Sequence, residues 1–251
     1  MSNETNIRKR AYDRVKPTPL NQGEYGPART SRYGDAYMQP LPGERHALAL
    51  EGSYFYIHNN TNDASTTLAG HTAPVLADAD ATMTKPLIFM RMPANATKYA
   101  FLDFIEIEVV TAGANGTSSN WAAQLDTGAT RYSSGTVETL TTVNPNMQST
   151  ATPDLVTLAG PVVVGAESAN VRYLGFGQIR AAIEIAGDRT LFKFGGEPSN
   201  GANVVAGAAS RHTVYLPPVV LGATDQFLLA LYAPSQSAAG VYKVKAGFWE
   251  R

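Results

Sequence analysis

The sequence predicts an all-β protein, an antiparallel β-sandwich behind an extended N-terminal arm, with a mixed α+β architecture as the alternative. Three observations predict it. Apolar and polar residues alternate in several short segments, most clearly in "KYAFLDFIEIEVVTA", and a period of two marks a strand with one wet face. No amphipathic pattern of helical spacing runs for three turns or more. The composition is rich in Gly, Ala, Ser, Thr and Asn and only 16% charged, a mix that favours turns and strands over long solvated helices. At 251 residues the chain has room for one such sandwich and a sizeable core.

Residues 1–46 read as the arm and 47–251 as the body. "NIRKRAYDRV" has the residues for one helical turn, but Pro17 and Pro19 end it, and the Pro and Gly beyond imply extended backbone. From Ala47, "LALEGSYFYIH" alternates and is aromatic, which predicts the first strand. "NNTNDASTT" is a polar loop, and "AGHTAPVLADADATMT" has no clear element. "KPLIFMRM" predicts a short buried strand. In the segment that follows, Phe101, Ile105, Ile107 and Val109 share one parity, so Ile105, Ile107 and Val109 face the core and Glu106 and Glu108 face water. "WAAQLDT" is placed to return beside it. "GTVETLTTV" and "GPVVVG" are further strands. "IRAAIEI" and "TLFKF" predict a hairpin through Ala186-Gly187-Asp188-Arg189. The stretch from Arg211 to the end supplies three more strands, the last with Val241, Lys243 and Lys245 on its outer face. Strands separated by turn-rich loops argue for antiparallel sheets, and their irregular spacing fits a jelly roll better than an even barrel.

Net charge is −1, so the whole chain is not an electrostatic nucleic-acid binder. The distribution is uneven: up to Arg32 seven basic residues of the arm oppose three acidic ones, leaving +4 on residues 1–32 and −5 on the rest. The run Arg8-Lys9-Arg10 is too short to specify nucleic acid. With no cysteine there is no disulfide, thiolate metal site or Cys nucleophile. The N-terminus is polar where a secretory leader is apolar, and no apolar run is long enough for a membrane span. The triplets at Asn3, Asn59, Asn95 and Asn115 are then chance matches to a glycosylation acceptor.

No catalytic or cofactor motif stands out. The histidines, His46, His58, His71 and His212, are scattered, and His71 with Asp78 and Asp80 offers too few hard ligands for a calcium site. Gly175-Phe176-Gly177 lacks a third glycine and a following helix, and predicts a bulge or a close backbone approach rather than a phosphate loop. Glu106 and Glu108 sit two residues apart on one face, but alternation explains them more simply than paired-carboxylate catalysis. Neither an enzymatic activity, a cofactor nor a metal is expected.

The arm is the informative segment. Tyr and Arg are enriched at protein contacts, and Pro lowers the entropy lost on docking. Arg8, Lys9, Arg10, Tyr12, Arg14, Tyr25, Arg29, Arg32, Tyr33 and Tyr37 are therefore the candidate partner-binding residues, a plain disordered tail being the alternative. The terminal pair Phe248 and Trp249 is costly to expose. Both are candidates for an oligomer interface, with one ring buried under the sandwich and the other near a subunit contact.

"RYGDAYMQPLPGERHALALEGSYF", "AGHTAP" and "YLPPVVLGATDQFLLALYAPSQSAAGVYKVKAGFWER" resemble virion structural proteins of tailed bacteriophages. The resemblance covers the second half of the arm and the end of the chain, and hardly touches the middle. It implies a capsid decoration or cement protein: a homotrimer on the capsid surface, assembled in the host cytoplasm, binding the major capsid protein where capsomers meet. The jelly-roll body would face outward and the arm would thread between neighbours, with no membrane and no specific nucleic acid as partner. Two other readings stand beside it. A receptor- or glycan-binding head-fibre or tail component would use loops such as Asn59–Thr67 or Asn115–Asn120, and a cell-wall hydrolase would use Glu106 and Glu108.

Overall fold

The computed structural model describes residues 44–59, 68–69, 83–113, 119–135, 137–180, 184–196, 210–232 and 238–251. The arm expected over residues 1–46 lies outside them except for its last three residues. A boundary between two units falls between Ala47 and Leu48.

The body is a sandwich of two mainly antiparallel sheets. Strands are numbered in chain order. The first sheet runs β13 (Arg211–Leu216), β12 (Arg189–Phe194), β4 (Ala100–Thr111), β16 (Val241–Glu250), β1 (Tyr54–His58) and β8 (Thr141–Val143). Two short strands join it off that path: β2 (Leu68–Ala69) beside β16, and β14 (Val220–Leu221) beside β4. The second sheet runs β11 (Arg172–Arg180), β5 (Ser119–Asp126), β15 (Gln226–Tyr232), β3 (Ile88–Arg91), β9 (Val156–Ala159) and β7 (Glu138–Thr139). A separate pair, β6 (Tyr132–Gly135) and β10 (Val162–Val164), packs on the far side of that second sheet. Among the described residues only β12 and β13 pair in parallel.

The alternation of β4 and β16 builds the main core. Ile105, Ile107 and Val109 of β4 and Tyr242, Val244 and Ala246 of β16 point between the sheets, and each is at most 4% exposed. Rings bridge the two layers: Trp121 meets Phe192 edge-on at 5.6 Å and Phe194 meets Phe227 edge-on at 5.4 Å. Burial of each such ring contributes roughly 1.5–3 kcal/mol. A second core of Met83, Phe89, Ala122, Val162, Val164, Leu228 and Ala230 fills the gap under β6 and β10. With both faces covered, β15 reads as the near-continuous apolar run QFLLALY.

That second layer also buries Arg131. All its guanidinium donors are used: Nη1 donates to Gln124 Oε1 at 2.7 Å and Asp126 Oδ2 at 3.2 Å, Nη2 to the carbonyls of Met83 at 2.9 Å and Gly165 at 3.1 Å, and Nε again to Gly165. Burial pushes the Asp126 carboxyl up. Hydrogen bonds from the Ser168 hydroxyl and amide and the Thr127 amide, with the Arg131 charge, outweigh that and hold it below the usual range.

Four expectations are corrected. The first described element is a helix, α1 (Glu44–Glu51), where a strand was expected from Ala47 and extended arm up to His46. Glu44, Arg45, Leu48, Leu50 and Glu51, with the alanines, are strong helix formers. Gly52, at φ 77°, closes the helix: its amide reaches Ala49 O at 3.0 Å and the Ser53 amide reaches Leu48 O at 3.0 Å, the two bonds of a Schellman cap. Phe101 does not share the face of Ile105, because the register with β16 slips between Gly247 and Phe248 and leaves Asp103 as an extra residue on β4. "WAAQLDT" (β5) does not return beside β4 but pairs with β11 and β15 in the opposite sheet. Among the described residues the arms of the expected hairpin do not pair with each other: β11, which takes in Ile179 and Arg180, pairs with β5, whereas β12 pairs with β4 and β13.

Candidate binding surface

The outer face of the first sheet carries an aromatic strip and then a charged ladder. Alternation turns Tyr56 and His58 of β1, Phe104, Glu106 and Glu108 of β4, and Lys243, Lys245 and Trp249 of β16 away from the core. The Asp103 bulge adds Phe101 to this face, where it stacks on Trp249 at 5.5 Å with the rings 2° from parallel. Phe104 and Tyr56 follow at 6.3 Å, and Tyr56 and His58 at 5.7 Å. Gly247 makes the strip possible, because a Cβ there would strike the Phe104 ring and the Tyr54 hydroxyl. That hydroxyl donates to Asp103 Oδ2 at 2.9 Å and ties the bulge to β1. Beyond the rings, Lys245 pairs with Glu106 at 3.3 Å and Arg189 with Glu108 at 3.0 Å.

At the Trp249 end the surface continues onto α1 and the loop after β8. Arg251 pairs with Glu51 at 3.3 Å, and next to Glu51 lies Leu50, 74% exposed. The loop Asn144–Thr150 is bolted to this corner. Asn144 Nδ2 donates to Gly52 O at 2.9 Å and Ser149 Oγ at 3.2 Å, and Asn146 Nδ2 donates to Leu50 O at 3.0 Å. The side-chain oxygens of the two asparagines accept the amides of Asn146 and Gln148, each at 3.0 Å. At the tip of this braced loop stands Met147, 99% exposed.

The remaining polar clusters are structural in their bonding. Asp188 accepts the amides of Ile185 and Ser210, the Ser210 hydroxyl and Arg180 Nη1, and these overcome the effect of burial to hold its carboxyl low. Ser210 Oγ lies 2.9 Å from His212 Nε2. This has the members of a hydrolytic triad in the wrong order, since the serine sits between aspartate and histidine and donates to the carboxylate. Nearby, Glu184 accepts from the Tyr242 hydroxyl at 3.2 Å, and burial with the neighbouring Asp188 charge raises it to about 7. Among the described residues no three His, Asp or Glu side chains gather as a metal site, and no helix is long and apolar enough to cross a membrane.

Of the residues singled out in the sequence, Arg8, Lys9, Arg10, Tyr12, Arg14, Tyr25, Arg29, Arg32, Tyr33 and Tyr37 lie outside the described residues, as do His71, Asp78, Asp80 and most of the two polar loops. Phe248 is the ring expected under the sandwich: it is 0% exposed and stacks on Phe55 at 5.4 Å in the chain's own core, which corrects its place among the candidate interface residues, since it has no exposed surface. Trp249 stays half-buried on the outer face. Glu106 and Glu108 each face a cation across the ladder. The glycine pair brackets a close approach, as expected: a Cβ on Gly175 or Gly177 would come within 2.9 or 3.0 Å of the Trp121 indole. Sequence reasoning missed Leu50 and Met147. The available signal was a lone large apolar residue in the otherwise polar turn "NPNMQST". No known protein family matches this chain, and neither the curated proteins nor the solved structures yield a match.

Proposed function

We propose that the chain is a structural protein of a virus particle, of the head-decoration kind. Its arm clamps neighbouring copies of the major capsid protein, and its body joins other copies of itself on the capsid surface, as a trimer. The observation that carries the reading is the aromatic strip of Tyr56, Phe104, Phe101 and Trp249, joined through the Arg251–Glu51 pair to the corner that exposes Leu50 and Met147. Aromatic residues and Met are the side chains that protein interfaces favour; here the rings pack on one another, and a side-chain hydrogen bond braces the backbone that carries Leu50 and Met147. The sandwich supplies a rigid block for such contacts, and the basic arm supplies reach and charge. In this reading the arm meets acidic shell surface.

The test is deletion of residues 1–43, which stops short of α1. The expected product keeps its β-sheet circular dichroism and its oligomeric state but no longer joins particles. Undiminished incorporation overturns the clamp. A glycan-binding reading draws on Phe176, a ring 76% exposed on β11 beside Tyr173 at 52%. By contrast, Phe101 and Trp249 spend their ring faces on each other. Saturable binding of host polysaccharide that is lost in Phe176→Ala would favour that second reading.

A further inference from the structure

The braced Met147 has a counterpart elsewhere on the same chain. A depression of about 210 Å³ opens at the end of the second sheet, lined by Met92, Ala94, Gly128, Thr130 and Thr224 with Arg91 among them. Its lining is neutral and mostly apolar apart from Arg91, which has no ion-pair partner among the described residues. Two of its residues hold left-handed backbone, Gly128 at φ 104° and Thr224 at φ 69°. For a β-branched residue such as Thr224 that conformation is a true outlier, costing on the order of 1–3 kcal/mol, and strain of this kind clusters where a surface must keep a particular shape.

We propose that Met147 of one copy seats in this depression on a second copy, with Leu50 covering its edge and Glu51 facing the partner copy's Arg91. Three features carry the choice of a second copy. The knob is wholly exposed on a loop whose backbone is already braced, so little loop entropy is lost when it docks. The charges at the two rims can complement each other: Arg91 beside the depression has no ion pair among the described residues, and Glu51 beside the knob is held only by an exposed pair with Arg251, which it can exchange for Arg91. Both features lie at the same end of the sandwich: Glu250 accepts the amides of Asp154 and Leu155, and the next residue, Val156, pairs with Arg91. A contact between two different patches at one end repeats around an axis, which is how a closed ring is made. The proposal deepens the self-association part of the function above and rests on it, but not on shell binding.

The absence of cysteine from the chain makes the test clean. Full-length chains carrying Met147→Cys and Ala94→Cys are mixed and oxidised, with Met147→Cys plus Phe176→Cys as the control pair. The expected result is a disulfide-linked heterodimer between the first pair well above the control. Separately, Met147→Asp should weaken self-association about tenfold or more by native mass spectrometry while leaving the thermal midpoint unchanged. A heterodimer yield no better than control overturns the proposal. So does Met147→Cys pairing chiefly with itself, which would mean a two-fold contact, or a wild-type chain that stays monomeric. A chain that passes these tests yet never joins particles sinks the shell-binding reading alone.

Discussion

At the scale of single residues, the fold is most exposed to change where a side chain has been given a place with no slack. Arg131 is the clearest case. Its removal would leave the Gln124 side-chain oxygen and two carbonyls buried without their donor, and Asp126 without its counter-charge. Arg131→Ala is expected to cost about 3–5 kcal/mol in urea unfolding. Arg131→Lys should recover little of this, because one ammonium cannot reach partners spread along a planar fork. A loss below about 1 kcal/mol for Arg131→Ala would show that water enters and replaces the guanidinium. The glycine pair in β11 makes a second prediction. Gly175→Val drives a side chain into the Trp121 indole and should cost about 1–3 kcal/mol. Phe176→Ser between the same glycines should stay within about 0.5 kcal/mol, since its ring already stands in water.

Among the elements, legibility followed how much of each pattern was local. β4 and β16 were readable because their alternation is long and one face is buried. β3 was readable because its apolar run is short and bounded. The helix α1 was not, since "LALE" obeys both periods and the deciding contacts are the Gly52 cap and the braces from Asn144 and Asn146, about ninety residues away in sequence. The bulge at Asp103 inverted the parity of Phe101, and nothing local announces it: Tyr54, which holds it, lies 49 positions earlier. The β11–β12 hairpin failed for the same reason, as the partner of β11 is chosen by the fit of Trp121 against its glycines. In the candidate surface, Trp249 was legible from its cost of exposure, whereas Met147 needed the loop geometry. These braces give a prediction of their own. Asn144→Ala removes two side-chain donor bonds and an Asx-type turn, and should cost about 1–2 kcal/mol. It should also speed hydrogen exchange at the Gly52 and Ser53 amides, which would stay protected if the helix end held itself.

For the whole molecule, titration sets two opposing slopes. Asp126 and Asp188 are held low, so the stability they add is present above the ordinary carboxylate range and is lost as the pH falls through their lowered values. Glu184 runs the other way. Its pKa rises from 4.5 to about 7 in the fold, so its contribution is complete below pH 4.5 and is lost as the pH climbs toward 7, by at most about 3 kcal/mol. The thermal midpoint should therefore decline from about pH 5 to pH 8, and Glu184→Gln should flatten that decline without touching the acid limb. An unchanged slope in the variant would move the effect to another group.

The position of the last strand has a consequence for biosynthesis. β16 is flanked by β4 on one side and β1 on the other, so the middle of the first sheet is written after every other described strand. A nascent chain has no centre to assemble around until Val241–Glu250 leaves the ribosome, and Tyr54 must wait for Trp249, its pairing partner. Chains cut short by even one strand would leave β1 detached from β4, with two unpaired edges open to aggregation. Cells making this protein would thus release either a finished block or an insoluble fragment, with little in between.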